Sequence, residues 1–309
     1  AVELARCVQE SGGRVAILVP PGLGYQWQAE LRAGGLHEVP PILRSLRAYL
    51  AAWNEDESGG QQPWFEKNVV MVSHAITNWR LGERADSWRW TLLPELYAHW
   101  RKRTDERFPR GYYGHEKLVD GWTRSAAESI TAAIPARRQH PASRLLGELL
   151  TQIEWPRPLE PAEYSQDGNL RVWLERCVGC GLGVFDLVII DEAHKSRGTQ
   201  SGLSRLLENV IVPSDSARRI ALTATPVELD VRQWENTLGR LGLRDNSFAP
   251  VQEAIIKYAS AVTRIRQAWR SSEDARSAYA IASSEFQKML SPYLLRRDKR
   301  EDPDVRRFH

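Results

Sequence analysis

Phe185-Asp-Leu-Val-Ile-Ile-Asp-Glu-Ala-His194 joins a short apolar run to two carboxylates and a histidine. Adjacent carboxylates can orient a hydrated divalent cation and polarise a water molecule for attack on a phosphoryl group. They do so only if something holds them at the mouth of a crevice. Leu187 to Ile190, four apolar residues of which three are β-branched, read as a strand buried on both faces, like the parallel strands of an α/β sheet. At the carboxyl end of such a strand the side chains emerge where open α/β sheets bind their ligands. Asp191 and Glu192 are therefore candidates for metal binding and water activation, with His194 beside them. Asp-Glu alone would suit a solvated turn after any strand. The full tetrad Asp191-Glu-Ala-His194 behind a buried run disfavours that blander alternative.

Two further stretches accompany the tetrad. Upstream lies Ala16-Ile-Leu-Val-Pro-Pro-Gly-Leu-Gly-Tyr-Gln-Trp-Gln-Ala-Glu-Leu31, and downstream lies Ala221-Leu-Thr-Ala-Thr-Pro-Val227. Asp191-Glu-Ala-His194 resembles the Walker B box of superfamily-two helicases and translocases. The upstream stretch is similar to the Ia segment of the Swi/Snf-type branch, and the downstream one resembles motif III of its bacterial members. The set is specific although no single match is.

The resemblance implies a RecA-like first lobe that hydrolyses ATP with Mg²⁺ and moves on DNA, double-stranded more readily than single-stranded or RNA. It implies that Asp191 orients Mg²⁺ through water and that Glu192 polarises the nucleophilic water. It implies that His194, Thr223 and Thr225 relay nucleotide state to DNA-facing loops. Hydroxyls at Thr223 and Thr225 could equally cap the helix that follows. The nucleic-acid-facing positions it implies are Pro21, Gln26 and Trp27 in segment Ia, and Ser73 and His74 at the end of the Ib-like strand. For Trp27 an ordinary core role is the competing expectation.

Composition sets outer bounds. The 309 residues carry a net charge of +3 with 26% charged residues, a soluble globular balance that does not announce a nucleic-acid binder. Three cysteines, an odd number, argue against a disulfide framework and for a reducing, cytoplasmic setting, nucleoid-associated if the protein is bacterial. No apolar run approaches ~20 residues, so no membrane partner is expected. Cys177-Val-Gly-Cys180 has zinc-like spacing, but a tetrahedral site needs four ligands and only Cys7 remains. These are read as core thiols, with His99, His115 and His140 as the open candidates for further ligands.

Along the chain, Val2 to Val8 carries a helical period that stops at Ser11-Gly-Gly13, and Val15 to Val19 follows as a strand. A helix opening directly before the Ia strand is what should follow a phosphate-binding loop. The Gly-x-x-x-x-Gly-Lys-Thr signature occurs nowhere in the sequence, and it is expected just before Ala1. Gln26–Arg32 and residues 42–53 read as helices, and 68–74 as a buried strand. More than a hundred residues then separate Ser73 from Phe185, too many for a structureless loop. Seven of the twelve tryptophans fall there, with leucines at helical spacing around Leu92–Trp100 and Leu145–Ile153. An inserted helical module with its own core is expected, and protein partners could dock on it. Arg101, Lys102 and Arg103, beside Trp100 and with Arg107 and Arg110, form its one basic cluster, a candidate phosphate contact for which a solvated helix face is the commoner explanation. Leu203 to Val210 reads as an amphipathic helix, Arg219–Leu222 as a strand, and 249–290 as long helices.

The expected fold class is α/β: a RecA-like parallel sheet flanked by helices, with a large helical insertion and C-terminal long helices. Residues 1–78 and 184–248 form the lobe, 79–183 the insertion, and 249–309 an extension towards an absent second lobe. Three functions compete. One is the ATPase lobe of a DNA translocase, inactive alone because phosphate-loop lysine and arginine finger are both lacking. The others are a non-catalytic RecA-like scaffold and an RNA helicase lobe of the Asp-Glu-Ala-His type. Tyr25-Gln-Trp27 and Leu294-Leu-Arg-Arg297 favour the first over the third.

Overall fold

A computed structural model describes residues 1–36, 39–54, 64–79, 81, 88–116, 119–135, 139–164, 168–193, 201–223, 233–243 and 248–295. They divide into two compact units, Ala1–Ala224 and Thr225–His309.

The first unit is an α/β structure around a five-stranded, all-parallel sheet. Its strands are β1 (Val15–Val19), β2 (Ile42–Leu43), β3 (Val69–Ser73), β4 (Val184–Asp191) and β5 (Val212–Leu222), in the order β2-β3-β1-β4-β5. β1 and β3 are buried at every residue, as expected of apolar runs covered on both faces. Period-two alternation sends Ala16 and Leu18 of β1 to one face and Val15, Ile17 and Val19 to the other.

Helices α1 (Val2–Glu10) and α2 (Gly24–Ala33) cover the second of these faces, where Ala5, Trp27 and Leu31 pack on Ile17, Met71 and Ile189. Gly24 has no side chain to spare: a Cβ there would stand 2.4 Å from Ile42 Cδ1, so glycine lets α2 lie against β2. The other face carries α3 (Leu46–Asn54), α4 (Trp88–Asp105), α5 (Tyr112–Glu116), α6 (Gly121–Ala133), α7 (Pro141–Gln152), α8 (Asn169–Leu182) and α9 (Gly202–Arg205). All but α5 place residues in the core that rests on that face.

The region between β3 and β4 thus differs from the sequence expectation. Trp90, Leu96, Ile130, Leu146 and Leu174 belong to one continuous core with Leu18, Val72, Val188 and Ile190 of the sheet. Among the described residues, the helices of 88–182 form no core cluster apart from the one on the sheet, and they cover one of its faces. The reason is topological: β3 and β4 flank β1, so the parallel connection has to cross over the sheet. At the centre of that layer Thr91 to Trp100 are buried all round, not on one stripe.

Smaller corrections are local. Residues 42–53 are not one helix: Ile42-Leu43 pairs with Met71-Val72, and α3 starts at Leu46. Residues 203–210 are not one α-helix either, since α9 passes into a π-helical turn, Leu206–Val210. β5 begins seven residues earlier than the Arg219 expected, crossing a register irregularity opposite Phe185/Leu187.

The second unit contains α10 (Gln233–Arg240), α11 (Ala249–Ala268) and α12 (Glu273–Leu290). Trp234 and Leu238 of α10 share a core with Val251, Ile255 and Leu290, and Phe286 stacks on Tyr258 at 4.5 Å between ring centres. No helix among the described residues is long and apolar enough to cross a membrane.

Candidate functional site

All five strands run the same way, so their carboxyl ends share one edge. Asp191 ends β4 and pairs with Leu222 at the end of β5, while Ile190 pairs with Leu18 of β1. The three stretches singled out in the sequence therefore reach the same edge on three adjacent strands. The end of β3 is tied in as well, because the His74 N–H donates to the Val19 carbonyl at 2.9 Å.

Asp191 and Glu192 are both half-buried. Glu192 turns the chain out of the strand at φ 51°, a left-handed conformation uncommon for a residue with a long side chain. Strain of this kind costs on the order of 1–3 kcal/mol and gathers at functional sites. The Asp191 carboxylate meets Trp27, whose indole Nε1–H donates to Oδ2 at 2.7 Å. These are hard oxygen donors, the kind Mg²⁺ takes when one or two carboxylates complete a shell of water and phosphate oxygens. The donor set fits that cation. No Gly-x-x-x-x-Gly-Lys-Thr cradle for a triphosphate occurs in the 309 residues.

Of the nucleic-acid-facing candidates, Pro21 and Gln26 are exposed on the turn and first helical turn after β1. Trp27 is not: it is buried under the sheet, because its ring completes the core that Leu31 and Ile189 line. Ser73 is 1% exposed, its hydroxyl accepting from the Ala75 N–H, so it faces inward while His74 is half-buried. Tyr25 lies open at the same edge with the Arg44 guanidinium 4.5 Å over its ring, a pair the sequence reading passed over. Thr223 is half-buried directly after β5. His194 and Thr225 lie outside the described residues.

The basic cluster on α4 is largely engaged within the fold. Arg101 pairs with Asp105 at 3.3 Å. Arg103 donates to the Thr131 carbonyl and, at 2.6 Å, to that of Ile134, satisfying carbonyls at the C-terminal end of α6. Lys102 is exposed, its ammonium 4.7 Å over the Phe108 ring. Trp100 is buried and offers no stacking face.

Cys177 and Cys180 are buried on α8, and burial pushes the Cys177 thiol up to about 12. Among the described residues no group of three or more His, Cys, Asp or Glu side chains could hold a metal ion. His140 is taken up as the N-cap of α7, accepting from the Ala142 N–H at 3.2 Å, and burial lowers its pKa.

One constellation close to the edge gave no sequence signal. Glu175 of α8, 1% exposed, accepts from Arg205 at 2.6 Å, from Arg171 at 3.4 Å and from Asn209 at 2.7 Å. Both arginines also donate to the Thr77 carbonyl, and the Thr77 hydroxyl to that of Gly202. The turn after β3 is thereby bound to the segment beyond Glu192.

No family model matches this sequence, and neither a curated protein nor a solved structure matches the chain.

Proposed function

We propose that this chain is the first, RecA-like ATPase lobe of an ATP-dependent DNA translocase related to the Swi/Snf-type branch. One observation carries the proposal. Segments far apart in sequence, each resembling a motif of that branch, emerge side by side at the carboxyl edge of one parallel sheet, on β1, β4 and β5. Asp191 would hold Mg²⁺, which neutralises charge on the transferring phosphoryl group, and Glu192 would orient and polarise the attacking water. The exposed residues Pro21, Tyr25 and Gln26, with Arg44, supply the surface that would meet the DNA backbone.

Two measurements on residues 1–309 test the proposal. Fluorescence anisotropy with labelled duplex DNA, single-stranded DNA and RNA of one sequence should give tightest binding to the duplex, weakening as salt rises. Preference for RNA contradicts the translocase reading. ATP turnover by these residues with duplex present should be negligible. Turnover near about one per second, the low end of ordinary enzymes, abolished by Glu192→Gln, would show that the chain needs no further catalytic part.

A further inference from the structure

We infer that Trp27 is the positioning residue of the metal site, and that α2 thereby governs which Asp191 oxygen a cation meets. This rests on the Mg²⁺ reading proposed above. An indole has a single donor and no acceptor, so its N–H either finds a partner or is wasted. Here it finds Asp191 Oδ2 at 2.7 Å, short for an N–H···O bond and in the range of charge-assisted ones. The ring is 9% exposed and packed with Leu31 and Ile189, so it cannot swing away without opening the core.

With Oδ2 so engaged, Oδ1 would be the oxygen left for a metal or its water. Groups that orient a ligating carboxylate in this way commonly govern metal affinity by 10–100-fold. Trp27 belongs to a helix with two differently occupied sides. Trp27 and Leu31 face the sheet, while Tyr25 and Gln26, within the same turn, are exposed.

The test uses Mn²⁺ alone and the full 309-residue chain with ¹⁵N-labelled tryptophan. The Trp27 indole signal is identified by its loss in Trp27→Phe. Without metal it should shift in Asp191→Asn, and Mn²⁺ should broaden it ahead of the other tryptophan signals. By electron paramagnetic resonance of free Mn²⁺, Trp27→Phe should bind the ion 10–100-fold more weakly than wild type. Wild-type affinity in a folded Trp27→Phe overturns the inference and leaves Trp27 as a core residue. Wild-type affinity in Asp191→Asn overturns instead the metal reading on which it rests. If Trp27→Phe does not fold, the metal-free spectra decide: no indole signal displaced between wild type and Asp191→Asn overturns the bond itself.

Discussion

Arg205 Nη2 lies 2.6 Å from the Glu175 carboxylate, a contact between the segment beyond Glu192 and the helix that leads into β4. Arg171 approaches the same oxygen, and burial lowers its pKa, the neighbouring Arg205 adding to the effect against the pull of Glu175. A carboxylate this deep is tolerated only because its acceptors are filled. Glu175→Ala should therefore cost about 3–5 kcal/mol, the range for stripping one partner from a buried pair. Urea unfolding measures it, and a loss below about 1 kcal/mol, the worth of an exposed pair, contradicts the clasp.

Two glycines in neighbouring helices should respond oppositely to alanine. A Cβ at Gly179 would stand 2.2 Å from the Val210 carbonyl oxygen, so Gly179→Ala should destabilise by about 1–3 kcal/mol. Gly147, inside α7, has nothing within 4 Å, so Gly147→Ala should stabilise by roughly 0.5–1 kcal/mol. Thermal unfolding of the two variants gives the signs. Equal signs contradict the packing described for α8.

Glu192 offers a backbone test independent of its chemistry. Its left-handed φ makes glycine preferable to alanine there, so Glu192→Gly should be more stable than Glu192→Ala by about 1 kcal/mol. Comparing these two removes the side chain in both. Alanine proving the more stable would place the turn in an ordinary conformation.

The thiols carry a pH dependence with a definite sign. Burial raises Cys177 to about 12 from 9.0, so the folded state holds its proton where the unfolded state releases it. Stability from this group is complete below pH 9 and declines as pH rises towards 12, by about 1.4 kcal/mol per unit in that window. Tyr49, Tyr164 and Cys180, also raised by burial, act in the same direction. At pH 8 only the exposed Cys7 should react quickly with a thiol reagent, and all three cysteines after denaturation. Fast native labelling of Cys177 would show that α8 opens.

The cluster Arg101, Lys102, Arg103 should split in function. Arg103→Ala should lower stability by about 1–2 kcal/mol, since it frees carbonyls at the end of α6. Lys102→Glu should leave stability nearly unchanged, and any change in DNA affinity from the cluster should come from it. Anisotropy titrations across salt concentrations, paired with urea unfolding of each variant, make the comparison. Stability unaffected by Arg103→Ala contradicts the capping role.

How far the sequence revealed these features follows from the range of each interaction. β1, the Val69–Val72 stretch of β3 and the Leu187–Ile190 stretch of β4 are continuous apolar runs because both faces are covered, so composition alone marks them. β2 escapes because two residues have no period, and the first half of β5 because Ser214-Asp215-Ser216 at the end of the strand order need not be apolar. The all-round burial of Thr91–Trp100 is invisible locally, since Glu95 and His99 look like a polar face. Glu95 is covered only once Tyr112 donates to it at 2.8 Å. The carboxylates were legible from their position behind a buried strand. The indole that holds one of them is 164 residues away, and no local pattern links them.

Glu192→Gln tests most directly the proposed role of Asp191 and Glu192 in ATP hydrolysis. DNA-stimulated hydrolysis and ATP affinity are measured for wild type and variant of the full-length protein. The amide keeps the shape of the side chain but cannot polarise water as the carboxylate does. ATP affinity should hold while hydrolysis falls by about 10²–10⁴-fold. Hydrolysis by Glu192→Gln at the wild-type rate would contradict the account.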